Sequence, residues 1–211
     1  MGPEDDVQHV LKALSARPPT GERLVLAIAG PPASGKSTLA AKLVQALAPT
    51  AGLLAMDAFH LDNHLLRERS DLERKGAPHT FDVDRYRTTL EHLRTGRGVE
   101  AKIPTFNREL DAVQPDTAVV EAHCRTIITE GNYLLLDRPP WDSLAPLFDL
   151  TVWITQPLEE IGRRIVDRWL THGLDGDAAR KRWDTNDGPN AQLTIDHSTS
   201  ADVVLGHHRR G

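Results

Sequence analysis

A buried strand followed by a glycine-rich loop and a helix constrains the fold of this chain more than any other feature. Leu24–Ala29 is apolar at every residue, as is typical of a strand buried on both faces of a parallel sheet. The next residues follow the pattern G-x-x-x-x-G-K-S, and Leu39, Leu43 and Leu47 then predict a helix that ends before Pro49. In this context the pattern predicts a phosphate-binding loop, because the N–H groups of the loop and the helix N-terminus point at an anion.

The residue types in the loop suit the binding of a nucleotide. Gly30 and Gly35 allow the backbone to wrap around the anion. Lys36 is predicted to reach the β- and γ-phosphates of ATP, and the Ser37 hydroxyl to bind Mg²⁺. A glycine-rich turn that binds nothing is the alternative, and the flanking strand and helix disfavour it. The predicted nucleotide-binding residues are Gly30, Ala33, Ser34, Gly35, Lys36, Ser37 and Thr38.

Strand and helix patterns alternate along most of the chain. Further strands are predicted at 53–56, 125–129, 150–155 and 202–205, and helical spacing begins near residues 7, 37, 83 and 158. This alternation predicts an α/β fold of the P-loop NTPase type, with a doubly wound, mostly parallel five-stranded sheet and helices on both faces. We expect a single domain over residues 1–211.

Two segments interrupt the alternation. Val99–Ile103 and Thr117–Glu121 are predicted to pair as strands around a loop that holds Pro104, Phe106 and Pro115. We call this hairpin, residues 97–122, the flap. The second segment, residues 171–190, is charged and contains three glycines and a proline, which predicts a mobile lid rather than core.

Two carboxylates follow predicted strands and are expected beside the phosphate loop. The strand at 53–56 ends at Asp57, and the strand at 125–129 ends at Glu130. Ligands of open α/β sheets bind at the carboxyl ends of the strands, so both side chains should lie on the same rim as Lys36. A carboxylate there can bind Mg²⁺ or hold and deprotonate an acceptor hydroxyl. The alternative is that both are solvated acids at the start of loops.

Composition excludes several classes of protein. The chain has 25 Lys+Arg against 30 Asp+Glu, a net charge of −5, which argues against a nucleic-acid binder that works by bulk charge. The single cysteine, Cys124, points to a reducing compartment. The run at Leu24–Ala29 is too short to cross a bilayer, and the acidic N-terminus does not resemble a signal peptide. We therefore expect a cytoplasmic monomer or homodimer with no membrane or nucleic-acid partner.

Four motifs resemble those of a known superfamily. They are M-D-A-F-H-L-D-N at 56–63, R-K-G-A-P-H-T-F-D at 74–82, T-E-G-N-Y-L-L-L at 129–136 and N-D-G-P-N at 186–190. Together they resemble the uridine kinase, phosphoribulokinase and bacterial pantothenate kinase superfamily of P-loop kinases, in the expected order over residues 5–205. The resemblance is greatest to the branch of fructose transport system kinases, which are nucleoside kinase-like.

The resemblance implies a small-molecule kinase and assigns roles to several residues. It implies that Asp57 is the catalytic base, that Ser37 and Glu130 serve Mg²⁺, and that the flap and the loop at 67–82 close over the acceptor. Lid arginines of related kinases clamp the transferred phosphoryl group. Arg164 and Arg168, four apart and hence on one helix face, match this role, and a solvated helix face is the alternative.

Substrate contacts are expected from the same segments. His60 follows Asp57 closely and is predicted to touch the substrate rather than to form a metal site with His64 and His79. Tyr133 is predicted either to line the pocket or to be a core aromatic. Cations near the flap keep a carboxylated or phosphorylated acceptor possible: Arg67, Arg69, Lys75 and Arg108. The predicted substrate residues are His60, Arg69, Phe106, Arg108 and Tyr133.

Three positions depart from the family pattern. Ala58 and Ser70 stand where glycine is usual, and Asn107 stands where an aspartate is expected before Arg108. The first two are compatible with small backbone changes. Loss of a carboxylate at 107 beside the acceptor pocket could alter which hydroxyls are recognised.

The sequence as a whole predicts an ATP- and Mg²⁺-dependent kinase that phosphorylates a hydroxyl of a small metabolite. A sugar such as fructose is the first expectation, and a nucleoside such as uridine, or pantothenate, is the second. A regulatory P-loop ATPase or GTPase is the alternative from another class, although the chain lacks the N/T-K-x-D motif of guanine recognition. A nucleotide-dependent binding module without turnover is a third interpretation.

Overall fold

The central sheet has five parallel strands. The structure is a computed structural model that describes residues 3–206. Five strands of this part form one sheet in the order β2-β5-β1-β6-β7, and all its pairs are parallel. The strands of the described chain are β1 (Leu24–Ala29), β2 (Ala51–Ala55), β3 (Ala101–Asn107), β4 (Ala112–Val120), β5 (Thr126–Gly131), β6 (Leu150–Thr155) and β7 (Val203–Gly206). The predicted fold class is confirmed.

The central strands are apolar because both of their faces are covered. Every residue of β1 and of β5 is buried. From β1 the chain passes to β2, at one edge of the sheet. It later passes from β5 to β6, which lies on the other side of β1 in the strand order. The carboxyl end of β1 is therefore the point where the winding reverses, which is where ligands of such sheets bind.

Helices cover both faces of the sheet. The α-helices of residues 3–206 are α1 (Pro3–Ser15), α2 (Lys36–Ala46), α3 (Asn63–Glu68), α4 (Val83–Thr95), α5 (Leu158–Thr171), α6 (Gly176–Arg182) and α7 (Gly188–Asp196). Residues of α1 and α2 pack in one buried cluster with one face of the sheet, and residues of α4 pack in a second cluster with the other. None of the helices in this part of the chain is both long and apolar enough to span a membrane.

The strands of the flap are longer than the sequence suggested. β3 and β4 pair antiparallel from Ala101–Val120 to Asn107–Ala112, so Pro104, Phe106 and Pro115 lie in strands and not in the connecting loop. The prediction of a long loop was wrong at these residues. The register shifts between Ile103 and Thr105, at the proline that cannot donate to the ladder.

Regular structure also extends through the lid segment. Residues 176–182 form α6, a π-helical turn covers 183–187, and α7 begins at Gly188. Two of the three glycines and the proline lie at helix starts: Gly176 follows the capping side chain of Asp175, and Gly188 and Pro189 begin α7. Proline is well tolerated there because the first N–H groups of a helix have no intrahelical acceptor. Gly173 lies in the turn after α5, with φ +91°.

A buried arginine joins the flap to the sheet. Arg23, immediately before β1, is fully buried. Its guanidinium donates to the carbonyl oxygens of Cys124 and Leu93 at 3.0 Å each, and to those of Val99 and Glu121 at 3.0 and 3.3 Å. Burial lowers the pKa of Arg23. The four carbonyls come from the end of α4, the two ends of the flap and the short connection that precedes β5, so one side chain holds these segments together.

Candidate active site

A cavity of about 790 Å³ lies beyond the carboxyl ends of the central strands. The phosphate loop, the flap, α3 and the lid segment all contribute to its wall. Three predicted site residues are not part of the lining: Gly30, Ser34 and Arg69. Arg69 is exposed, and the arginine of this segment that lines the cavity is Arg67. The predicted site residues that line it are Ala33, Gly35, Lys36, Ser37, Thr38, Asp57, His60, Phe106, Arg108, Glu130, Tyr133, Arg164 and Arg168.

The phosphate loop requires its two glycines for different reasons. Gly35 caps α2 with φ +102°, in the left-handed region that favours glycine. A Cβ at Gly30 would lie 2.7 Å from the carbonyl oxygen of Ile154 in β6, so a side chain there would push the loop away from the sheet. Both glycines therefore preserve the tight path of the loop between β1 and α2.

Lys36 is buried at the base of this loop. Its Nζ donates to the carbonyl oxygen of Pro31 at 2.9 Å. Burial lowers the pKa of Lys36 to about 8, although the nearby carboxylates of Glu130 and Asp57 act in the opposite direction. A polyphosphate bound in the loop would supply a negatively charged partner for the Lys36 ammonium.

A hydroxyl and a carboxylate stand together beside Lys36. Glu130 lies inside β5, one residue before its end, and its Oε1 accepts a hydrogen bond of 3.0 Å from Ser37 Oγ. Burial raises the pKa of Glu130. Mg²⁺ in nucleotide sites prefers oxygen ligands and is held by one or two protein groups together with phosphates, so this pair fits it. Among the described residues no group of three or more His, Cys, Asp or Glu could hold a metal ion by itself.

Asp57 also lines this cavity. It lies in the 3₁₀ turn Met56–Phe59 that follows β2 directly. Its Oδ2 accepts a hydrogen bond of 3.1 Å from the guanidinium of Arg108, in the turn of the flap. The flap thus contacts the carboxylate that the sequence places at the rim.

His60 forms an aromatic wall with the flap. Its ring centroid lies 4.1 Å from that of Phe81 and 4.8 Å from that of Phe106. Its Nδ1 lies 2.8 Å from the carbonyl oxygen of Asp57, which orients the ring. Burial lowers the pKa of His60, so the neutral form is favoured in the folded protein.

We expect His60 to make stability depend on pH. Below about pH 6.5 the unfolded chain is protonated at this residue, whereas the folded chain stays neutral to a lower pH. The free energy of unfolding should therefore fall as the pH falls, by up to about 1.4 kcal/mol per pH unit. His60→Phe keeps the ring stacking and should reduce this slope in urea titrations between pH 7 and 5. Exposed His123→Phe should leave the slope unchanged, and equal slopes in all three proteins would contradict the prediction.

Lys75 ties the flap to α3. Its buried Nζ donates to Asn63 Oδ1 at 2.6 Å and to the carbonyl oxygen of Asp111 at 2.7 Å, and it pairs with Asp111 Oδ1 at 2.9 Å. The ammonium also lies 5.1 Å from the ring centroid of Phe106. Partial burial acts to raise the pKa of Asp111, but the hydrogen bonds from Lys75 and Asn63 outweigh this effect and the pKa is lowered. The backbone oxygen of Lys75 accepts from Asn186 Nδ2 at 3.1 Å, which connects the same loop to the lid segment.

Lys75→Met should loosen the flap without affecting nucleotide binding. It removes every hydrogen bond of the ammonium, so we expect faster hydrogen exchange at residues 101–120 and an acceptor KM raised about tenfold. The Kd for ATP should change less than about twofold. Lys102→Met, on the exposed face of β3, is the matched control and should alter none of these values. A protected flap in Lys75→Met would show that this lysine does not hold it.

Helix α5, which leads into the lid segment, brings guanidinium groups to the phosphate loop. Arg164 donates to the carbonyl oxygen of Ala33 at 3.1 Å and to Glu160 Oε1 at 2.7 Å. Arg168 lines the same side of the cavity, and burial lowers its pKa. Trp169 lines the cavity as well, and its Nε1 donates to Asp187 Oδ2 at 2.7 Å.

Tyr133 combines the two roles that the sequence left open. It is fully buried and packs its ring 5.3 Å from that of Trp141. Its hydroxyl donates to the carbonyl oxygen of Gly76 at 2.6 Å, and the residue also lines the cavity. Burial raises its pKa, so the hydroxyl stays protonated and keeps the Gly76 loop in place.

Several lining residues were not predicted as site residues. Asn190 and Asp187 lie in the quoted motif N-D-G-P-N, which was the available signal for them. Asn190 is buried and donates to Asn186 Oδ1 at 3.1 Å. Asn63 likewise lies in the quoted motif at 56–63, whereas no quoted motif contains His172 or Arg182.

The departures from the family pattern have local explanations. Asn107 Oδ1 accepts from the N–H groups of Glu109 and Leu110 at 3.0 Å each, so it caps the turn of the flap and is not part of the cavity lining. Ser70 has φ +58°, the left-handed conformation in which glycine is favoured. Ala58 is fully buried in the turn that carries Asp57.

Comparison with known proteins places this geometry in a family. Residues 25–206 match the model of the Phosphoribulokinase / Uridine kinase family. The chain belongs to this family. It is 39% identical to a "putative fructose transport system kinase" from Silicibacter sp. TM1040, and the two structures have a TM-score of 0.88 over 97% of this chain and 99% of that one.

Curated members of the family extend the match. The chain is 31% identical to the "Putative uridine kinase C227.14" of Schizosaccharomyces pombe over 87% of this chain and 83% of the relative. It is also 31% identical to the pantothenate kinase of Shouchella clausii over 97% and 74% of the two chains. This member of the Phosphoribulokinase / Uridine kinase family is thus a P-loop kinase, and the relatives' names cover more than one acceptor.

Proposed function

We propose that the protein transfers the γ-phosphate of ATP to a hydroxyl group of a small metabolite. One observation carries this proposal: Asp57 and the phosphate-loop residues Lys36 and Ser37 line the same cavity. A carboxylate opposite a polyphosphate site can receive a hydroxyl in line with the γ-phosphorus. A protein that only hydrolyses ATP has no need of an enclosed acceptor side with a flap and an aromatic wall.

The chain's own residues divide the work of the transfer. Asp57 accepts the hydrogen bond of the acceptor hydroxyl and takes its proton. The acceptor oxygen forms a bond to the γ-phosphorus while the bond from that phosphorus to the β–γ bridging oxygen breaks, and the bridging oxygen leaves with ADP. Lys36, Arg164 and Arg168 would stabilise the negative charge on the phosphates.

Ser37 and Glu130 are the residues that would hold Mg²⁺ in this reaction. Their oxygens lie 3.0 Å apart beside the phosphate loop. Mg²⁺ held by these two residues would neutralise part of the negative charge of the phosphates. The Ser37 hydroxyl is exposed to the cavity, so it is available as a ligand without movement of the backbone.

A sugar such as fructose is the first candidate acceptor, and uridine and pantothenate are the alternatives. The name of the Silicibacter relative supports the first, and the names of the curated relatives support the others. The hydrogen-bonding groups of His60, Asn63 and Asn190 in the lining are compatible with a polyhydroxylated acceptor.

The proposal is tested by ADP release in ATP and Mg²⁺ with each acceptor in turn. Release that rises with the concentration of at least one acceptor, and saturates, is the expected result. Steady ADP release that none of these compounds changes would contradict the proposal and favour an ATPase.

A further inference from the structure

The π-helical turn between α6 and α7 is held closely against α5. Trp183 begins this turn, and it lies beside two glycines. A Cβ at Gly162 of α5 would lie 3.0 Å from the Trp183 ring, and one at Gly188 would lie 2.8 Å from the Trp183 carbonyl oxygen. Neither glycine could therefore carry a side chain without a shift of the turn. Because π-helical turns occur frequently at functional sites, the residues that this one presents are candidates for a functional role.

Asp187 connects the turn to the helix that carries Arg164 and Arg168. Its Oδ2 accepts a hydrogen bond of 2.7 Å from Trp169 Nε1, and the guanidinium of Arg182 lies 4.2 Å from the centroid of the Trp169 ring. Trp169 follows Arg168 directly in α5. A phosphate bound by the two arginines of α5 would restrain this helix, and the contact with Asp187 extends that restraint to the turn.

Asn186, the neighbour of Asp187, connects the same turn to the acceptor side of the cavity. It is only 2% exposed, and its Nδ2 donates to the carbonyl oxygen of Lys75 at 3.1 Å. Its Oδ1 accepts from Asn190 Nδ2 at 3.1 Å, which fixes the orientation of the amide. Because the amide is buried, a side chain without a donor at this position would leave the Lys75 carbonyl unsatisfied.

The loop that receives this hydrogen bond also holds the flap. Lys75 Nζ donates to the carbonyl oxygen of Asp111, in the turn of the flap, at 2.7 Å. The carbonyl oxygen of Gly76 accepts from the Tyr133 hydroxyl at 2.6 Å. Asn186 and Tyr133 thus fix two successive carbonyl groups of the backbone from which the Lys75 side chain extends. A displacement of this backbone would carry the ammonium away from the flap.

We propose, on the basis of the kinase function proposed above, that Asn186 is a positioning residue that makes the order of the flap depend on the bound nucleotide. Phosphates on α5 restrain the turn through Asp187, the turn restrains Lys75 through Asn186, and Lys75 restrains the flap. An acceptor that binds under the flap then loses less conformational entropy, because the nucleotide has already ordered the flap. The two ligands bind with positive cooperativity for this reason.

Hydrogen exchange with and without the non-transferable ATP analogue AMP-PNP and Mg²⁺ tests this role. We expect AMP-PNP to slow amide exchange at residues 101–120 of the wild-type protein by about fivefold or more. In Asn186→Ala the slowing should fall below about twofold, while the Kd for AMP-PNP, measured by calorimetry, stays within about twofold of the wild-type value. A nucleotide that acts on the flap directly, through Arg108, would slow exchange equally in both proteins. That result, or no slowing in the wild-type protein, would overturn the inference.

Thr194→Val is the matched control for Asn186→Ala. Thr194 is fully buried in α7 and its Oγ1 donates to the carbonyl oxygen of Asn190 at 2.7 Å. The variant therefore also loses a buried hydrogen bond of this region, but it leaves the contact with Lys75 in place. It should keep the nucleotide-dependent slowing of the wild-type protein. An equal loss in both variants would assign the effect to general destabilisation and would overturn the inference.

Trp169→Phe tests the other end of the connection without changing the buried amides. Phenylalanine keeps an aromatic ring beside Arg182, but it cannot donate to Asp187. The slowing of flap exchange by AMP-PNP should fall below about twofold here as well. Undiminished slowing in Trp169→Phe would show that the restraint does not pass through the turn.

ADP release measured on the same proteins separates this inference from the kinase function. Acceptor-stimulated ADP release without any effect of AMP-PNP on the flap would overturn the inference alone. Slowing of flap exchange that depends on Asn186, in a protein that transfers no phosphate to any acceptor, would support the positioning role and contradict the kinase function. Absence of AMP-PNP binding would contradict both.

Discussion

Asp57→Asn is expected to lower kcat for the phosphorylated acceptor by about 10²- to 10⁴-fold, the usual contribution of a general base. The amide keeps the shape of the side chain, but it cannot take the proton of the hydroxyl. The phosphate loop is unchanged, so the Kd for ATP should remain within about twofold. Steady-state kinetics together with nucleotide titration by calorimetry measure both quantities.

Asp62→Asn is the matched control for this variant. It removes the same charge five residues away, where the side chain caps α3 by accepting from the His64 N–H. Asparagine caps helices as well as aspartate does, and Asp62 is not part of the cavity lining, so activity should be retained. Undiminished turnover in Asp57→Asn would remove Asp57 from the mechanism.

Arg23→Met is expected to lower the free energy of unfolding by about 3–5 kcal/mol, a large part of the stability of a typical domain. Methionine fills much of the buried volume, but it leaves the carbonyl oxygens of Leu93, Val99, Glu121 and Cys124 without their common donor. Urea unfolding followed by circular dichroism measures the loss.

Two further variants make this prediction specific. Arg125→Met alters an exposed arginine immediately before β5 and should change stability by less than about 0.5 kcal/mol. Arg23→Lys keeps the charge and some of the hydrogen bonds, so its loss should lie between those of the other two. A loss below about 1 kcal/mol for Arg23→Met would mean that the flap and the sheet do not depend on this side chain.

The sheet and the phosphate loop could be predicted because their local patterns have few alternatives. Six consecutive apolar residues at Leu24–Ala29 require cover on both faces, and the G-x-x-x-x-G-K-S pattern follows without a gap. The carboxylates of Asp57 and Glu130 could be placed on the rim from the strand ends, although Glu130 lies within its strand. These inferences needed only residue type and position along the chain.

The flap and the lid segment were less predictable because their structure depends on distant contacts. Gly176 and Pro189 are helix breakers in isolation, yet both lie at helix starts. Arg67 lines the cavity and Arg69 does not, because of the short helix α3. A helix of six residues is too short to be predicted from the spacing of apolar residues. Arg23 carried no sequence signal, because its four acceptors are backbone groups of residues far away in the chain.

The fate of the γ-phosphate tests the central claim most directly. The protein is incubated with ATP labelled in the γ-phosphate, Mg²⁺ and the acceptor that most stimulates ADP release, and the label is followed by chromatography. Phosphoryl transfer predicts that the label appears in the acceptor, in an amount equal to the ADP formed, and that Asp57→Asn slows its appearance by the factor given above. Recovery of the label as inorganic phosphate, with none in the acceptor, would contradict the account.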